Sequence, residues 1–88
     1  AGAIIIAKSN LGEYASGIPR SSFGGTFCNP YDTERSPSGS SSGSGSAVAA
    51  NLVTCGIAEE TGMSVRGPAR AANSVGLAPT QELVSRDG

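Results

Sequence analysis

Histidine and tryptophan are missing from this 88-residue sequence, and lysine occurs once, at Lys8. Without histidine, a Ser-His-Asp or Cys-His nucleophile system is excluded within the chain, as is a histidine-rich metal site. Any serine hydrolysis must use another base. Aromatic residues make up 5% of the composition while glycine occurs 13 times, which leaves little to fill a core. A chain of this length buries only about 60–65% of the surface it exposes when unfolded, and this composition argues further against independent stability.

Cysteine is also sparse. Cys28 and Cys55 show no CxxC spacing and no disulfide framework, so both are read as reduced intracellular thiols and the chain as cytoplasmic. The net charge of −1 comes from six basic and seven acidic residues scattered along the sequence. No basic stripe is there to compensate phosphates, so nucleic acid is not expected as a partner. The opening apolar run, AIIIA, is too short to span a bilayer and has no basic segment before it, so no membrane or targeting signal is read. Glu59 and Glu60 are adjacent; on a strand they face opposite sides and cannot act as a paired acid and base on one sugar. The tract GSSSGSGS at 39–46 lacks the Lys-Ser/Thr pair of a phosphate-binding loop, because Ala47 and Val48 follow it.

Residues 3–7 include three consecutive isoleucines and read as a strand buried on both faces. From 17 to 46 the pattern dissolves into Gly, Ser, Pro and Asn, with turn signals at Phe23-Gly24-Gly25, Asn29-Pro30 and Ser36-Pro37; this is a long loop with little regular structure. Ser and Gly then lead into an alanine-rich stretch, which predicts a helix starting near Gly45 or Ser46. Residues 52–58 form a second apolar run read as a strand. After a sharp turn, Pro68 falls within the first turn of another helix, where its missing N–H does no harm. Two buried strands interleaved with helices predict α/β architecture. As the whole protein, those strands would expose unpaired edges, which predicts poor solubility for the chain alone.

On composition, the Ser/Gly tract reads as a flexible linker. Order and spacing point elsewhere. PSGSSSGSGSAVAAN from Pro37 resembles the Pro-Gly-Gly-Ser-Ser-Gly-Gly-Ser stretch and alanine-rich helix of the amidase signature family. EETGMSVRGPA from Glu59 is similar to that family's Asp-Thr-Gly-Gly-Ser-Ile-Arg-x-Pro-Ala, and the 24 residues from Ser40 to Ser64 fit its spacing. AIIIAKSNLGEYA, NPYD and VGLAPT resemble further family segments, so the likeness covers essentially the whole chain. It implies a partial domain over 1–88, a piece of the amidase-signature fold with its mixed β-sheet core flanked by helices.

The resemblance also implies roles. Ser64 takes the place of the serine nucleophile that attacks an amide carbonyl. Thr61, Gly62 and Met63 match, with Ser64 itself, the stretch whose main chain forms the oxyanion hole. The first N–H groups of the following helix lack internal partners and are expected to favour developing negative charge. Ser40 matches the serine held on a non-proline cis peptide, which relays a proton between the nucleophile and a lysine. Gly39 and Ser41 support that turn, and Arg66 is expected to brace the structure through Glu59, Glu60 or backbone carbonyls. The family's catalytic lysine sits in a Gly-x-Pro…Lys-Asp segment absent from these residues. Lys8 matches a different lysine, in the family's Lys-x-Asn motif. General-base assistance is worth about 10²–10⁴ in rate, so this chain by itself is expected to be inactive.

The sequence departs from the family pattern at several positions: Ser38 and Ser42 replace common glycines, Met63 replaces the Gly before the nucleophile, Glu60 stands for Asp and Ala78 for Lys. The implied activity is hydrolysis of a small-molecule amide to acid and ammonia or amine, with no cofactor and no metal. The remainder of the amidase domain is the expected partner. Two alternatives stand beside it: the amidase subunit of a glutamine-dependent amidotransferase, whose partner subunits deliver the released ammonia to a charged transfer RNA, or a non-catalytic Gly/Ser-rich interaction fragment.

Overall fold

The computed structural model describes residues 2–87; the two outermost residues of the expected 1–88 domain lie outside the described residues. In chain order the elements are a 3-10 turn at Glu13–Ala15, strands β1 (Arg20–Ser21) and β2 (Gly25–Thr26), and helices α1 (Ser42–Ala49) and α2 (Arg66–Ala71). β1 and β2 pair antiparallel, Arg20 opposite Thr26 and Ser21 opposite Gly25. Gly25 holds the positive φ of 70° that closes this hairpin, a conformation glycine adopts without a Cβ penalty. The hairpin lies inside the stretch read as loop.

Helix α1 begins at Ser42, three residues before the predicted start. The first i to i+4 bond already runs from the Gly45 N–H to the Ser41 carbonyl, at 3.1 Å. Glycine and serine are weak helix formers, so propensity pointed to the alanines; contact overrides it here. A Cβ at Gly43 would lie 2.3 Å from the Asn10 carbonyl oxygen, and one at Gly45 would lie 3.0 Å from Pro68 Cβ. The two glycines let α1 press against the 10–12 segment on one side and α2 on the other. Pro68 lies in the first turn of α2, as read, and its side chain is fully buried, as are those of Pro37 and Ser42.

Both helices end in the same way. Asn51 and Asn73 adopt left-handed φ values of 58° and 50°. Leu52 N–H donates to the Ala47 carbonyl and Asn51 N–H to that of Val48; Ser74 and Asn73 do the same to Ala69 and Arg70. These are paired Schellman caps with asparagine in glycine's usual place. The repeated Ala-Ala-Asn that writes them, at 49–51 and 71–73, was the sequence signal for both ends.

The two apolar runs correct the sequence reading. Residues 3–7 form no strand, and Ile4 and Ile5 are 89% and 91% exposed. Residues 52–58 form none either, with Ile57 at 93%. A strand needs a neighbour for its N–H and C=O groups, and among the described residues no segment pairs with either run. The carbonyls of Ile57 and Glu59 are bound instead by the hydroxyls of Ser44 and Ser41 at 2.9 and 3.3 Å. What is buried is small: Ala69 and Ala72 among the apolar residues, and Asn29 and Ser40–Ser42 among the polar ones. The total accessible surface of 6785 Å² compares with roughly 4,700 Å² for a folded monomer of this mass by the usual scaling. The described chain thus combines two helices and a two-stranded antiparallel sheet around one compact junction.

Candidate active site

That junction is where the predicted residues meet. The peptide between Gly39 and Ser40 is cis, and the turn carrying it is held from both sides. Gly12 N–H donates to the Ser40 carbonyl at 2.8 Å, and Gly43 N–H to the Asn10 carbonyl at 3.0 Å. Ser42 Oγ donates to the Ser40 carbonyl at 3.4 Å. Gly39 has no room for a side chain, since a Cβ there would sit 2.9 Å from the Gly17 carbonyl oxygen. Ser40 and Ser41 are buried.

The second wall is the turn that precedes α2. Ser41 N–H donates to the Ser64 carbonyl at 3.3 Å and Ser41 Oγ to the Glu59 carbonyl at 3.3 Å. Ser41 therefore ties the Ser40 turn to the Ser64 turn and closes the 24-residue separation in sequence. Ser64 itself is half-buried. The N–H groups of Thr61, Gly62, Met63 and Ser64 find no acceptor among the described residues, whereas those of Val65, Arg66 and Gly67 are all bound. This revises the expectation for the start of α2: Glu60 already occupies its first N–H groups.

Glu60 is the residue whose importance the sequence understated. One carboxylate oxygen accepts the Val65 and Arg66 N–H groups at 2.8 and 2.9 Å; the other accepts Arg66 Nε at 2.5 Å. The Arg66 backbone N–H, then that of Val65 and the Arg66 guanidinium, hold its carboxyl below the ordinary value against the opposing effect of burial. Arg66 Nη2 reaches on to the Gly62 carbonyl at 2.8 Å. The bracing role read for Arg66 thus resolves into a bridge between Glu60 and Gly62, while Glu59 accepts from the Thr61 hydroxyl.

Met63, the least typical residue of the turn, folds back across one helical step. A Cβ at Gly67 would fall 2.6 Å from Met63 Cε and 2.9 Å from Ser38 Oγ, so three departures or variable positions of the motif share one space. Asn29, also missed as a positioning residue, is buried; its Nδ2 donates to the Ala71 carbonyl at 2.8 Å and its Oδ1 accepts the Tyr31 N–H. It fastens the NPYD turn to the end of α2. Nothing in local sequence marks Asn10 as an acceptor for Gly43, because that contact uses only the backbone.

Lys8 lies on the exposed opening segment, and its side chain makes no ion pair among the described residues. Cys28 and Cys55 are exposed and unpaired. Among the described residues no group of three or more His, Cys, Asp or Glu side chains could hold a metal ion, and no helix is long and apolar enough to cross a membrane.

The two turns meet at one junction, and residues 1–88 match the Amidase family over the full chain. The chain belongs to that family. It is 50% identical over 88 residues to a glutamyl-tRNA(Gln) amidotransferase subunit from Legionella pneumophila strain Corby, covering 99% of this chain and 18% of that protein. It is 49% identical to the protein of the same name from Methanospirillum hungatei, covering 100% of this chain and 21% of the relative. The Deinococcus deserti protein of that name is 48% identical, with 100% and 18% covered. The chain thus spans about a fifth of the length of these relatives. No solved structure matches it.

Proposed function

We propose that this chain is the nucleophile-bearing part of an amidase domain and that its parent protein hydrolyses a carboxylic amide through a Ser64 acyl-enzyme. The single observation that carries this reading is the bond from Ser41 N–H to the Ser64 carbonyl, which sets the Ser40 turn against the Ser64 turn in a chain of the Amidase family. Ser64 Oγ attacks the amide carbon while its proton passes to Ser40 and on to a base supplied outside these residues. The carbonyl oxygen becomes an oxyanion facing the N–H groups of the 61–64 turn. Collapse expels the amine, which takes a proton back, and water then cleaves the ester to release the acid. Such a turn is worth several kcal/mol, since removing one oxyanion donor costs about 3–4 kcal/mol.

The remainder of the amidase domain is the natural cover for the exposed isoleucines at 4–6 and for Ile57, and its mixed sheet the place where both apolar runs would gain strand neighbours. The unpaired cysteines support a cytoplasmic setting. A narrower reading is favoured by the relatives, each of which carries the name of a glutamyl-tRNA(Gln) amidotransferase subunit. On that reading the amide is glutamine, and partner subunits receive the ammonia.

The test is amide hydrolysis by the parent protein, with and without its amidotransferase partners, beside labelling by an activated phosphonate. Ser64→Ala should lower turnover by about 10⁴-fold or more and abolish labelling at an unchanged thermal midpoint. Retained turnover in that variant would remove Ser64 from the mechanism. Hydrolysis of glutamine only in the presence of partners would select the narrower reading.

A further inference from the structure

We infer that Glu60 and Arg66 form a positioning pair that aims the Met63 and Ser64 N–H groups at the developing oxyanion; this rests on the amidase reading above. In a planar trans peptide the C=O and the next N–H point in opposite directions, so whatever holds a carbonyl also aims the N–H behind it. The Gly62 carbonyl is held by Arg66 Nη2 at 2.8 Å. The Met63 carbonyl is held by the Gly67 N–H at 2.7 Å. Both carbonyls are drawn toward α2, and the N–H groups of Met63 and Ser64 are thereby turned to the other side. Beyond Ser64 the next peptide is fixed at both ends, its carbonyl by Ser41 N–H and its Val65 N–H by Glu60.

Of the two carbonyls that set the Met63 and Ser64 N–H groups, the one on Gly62 is held by a side chain and the one on Met63 by backbone. Arg66 can hold the Gly62 carbonyl because its planar fork bonds Glu60 through Nε and Gly62 through Nη2 at once. Glu60 in turn is locked by the two backbone N–H groups it accepts, and its side chain is 8% exposed. Lysine would offer one point charge in place of the two-sided fork, and glutamine at 60 would lose the charge and one acceptor oxygen. The competing role for Arg66, direct binding of a substrate carboxylate, draws on the 63% of its side chain that is exposed.

The experiment is steady-state amide hydrolysis by the parent protein carrying Arg66→Lys, Glu60→Gln or both, with Ser64→Ala as reference. Each single variant should lower kcat about 100-fold with KM within twofold, weaken a tetrahedral boronate inhibitor by the same factor, and leave the thermal midpoint within a few degrees. The double variant should be no worse than either single one, as expected for residues acting as a unit. If Arg66→Lys does not fold, Glu60→Asp, which keeps charge and shortens reach, carries the same expectation. A raised KM at unchanged kcat would make Arg66 a substrate ligand and overturn the proposal. So would losses that follow thermal unfolding and vanish on cooling. If Ser64→Ala is dead while these variants keep full kcat, the alignment role fails alone; if Ser64→Ala stays active, the amidase reading fails first.

Discussion

Two kinds of segment in this chain have exchanged the roles their composition assigns them. The Ser/Gly tract at 39–46, which resembles a linker, is buried to half-buried and held residue by residue. The apolar runs at 3–7 and 52–58, which resemble core, are mostly exposed. Small residues allow backbones to approach until carbonyls and N–H groups meet directly, and that contact needs nothing outside the chain. Apolar strands need neighbours on two edges and two faces, which no described segment gives them. Completeness of partners, not hydrophobicity, separates the two regions.

The sharpest way to break this comparison is to replace Ile4, Ile5 and Ile6 together by serine. In the parent protein the change should destabilise by several kcal/mol, since each buried isoleucine lost costs about 2–5 kcal/mol, and the soluble yield should collapse. In the 88-residue chain alone the same change should raise soluble yield, because there the residues are exposed. Equal effects in both contexts would mean that the run has no cover to lose.

A smaller effect tests the other half. Gly43→Ala places a Cβ 2.3 Å from the Asn10 carbonyl oxygen, whereas Gly17→Ala meets nothing within 4 Å. In denaturant unfolding of the parent protein the first should cost about 1–3 kcal/mol and the second less than about 0.5 kcal/mol. Matching costs would return the tract to linker status.

The smallest expected effect is one of pH. The carboxyl of Glu60 is lowered from its ordinary value of 4.5 by the Arg66 and Val65 N–H groups and the Arg66 guanidinium. Its contribution to stability is therefore complete above pH 4.5 and is lost as the pH falls through the lowered value. Acid unfolding of the parent protein should show a shallower slope in that window for Glu60→Gln than for the unaltered protein.

What the sequence made legible follows the same division. Pro68 in a first turn and a helix entering the alanines were readable because each depends on a few neighbouring residues. Residues Ser40 and Ser64 could be paired by spacing and family resemblance, and their turns do meet. Propensity puts the start of α1 three residues late, because its first turn is fixed by Asn10 and Pro68, contacts that propensity does not carry. Pattern alone makes strands of both apolar runs, and pattern records what a segment can pair with, not whether a partner is present. For Glu60 the sequence offers an adjacent carboxylate, a place in the motif and one possible ion-pair partner, but an acid six residues before an arginine gives no sign that it also accepts two backbone N–H groups.

The fastening of α1 has a consequence for how this tract can vary in length. Each residue in a helix turns the next by about 100°, so inserting or deleting one serine or glycine near its start would swing Gly43 and Gly45 off the surfaces they fit. Ser41 and Ser44 would lose their carbonyls in the same step. A repetitive run of Ser and Gly invites such slippage during copying, yet this one reads as a ruler: its composition could drift a little, and its residue count could not.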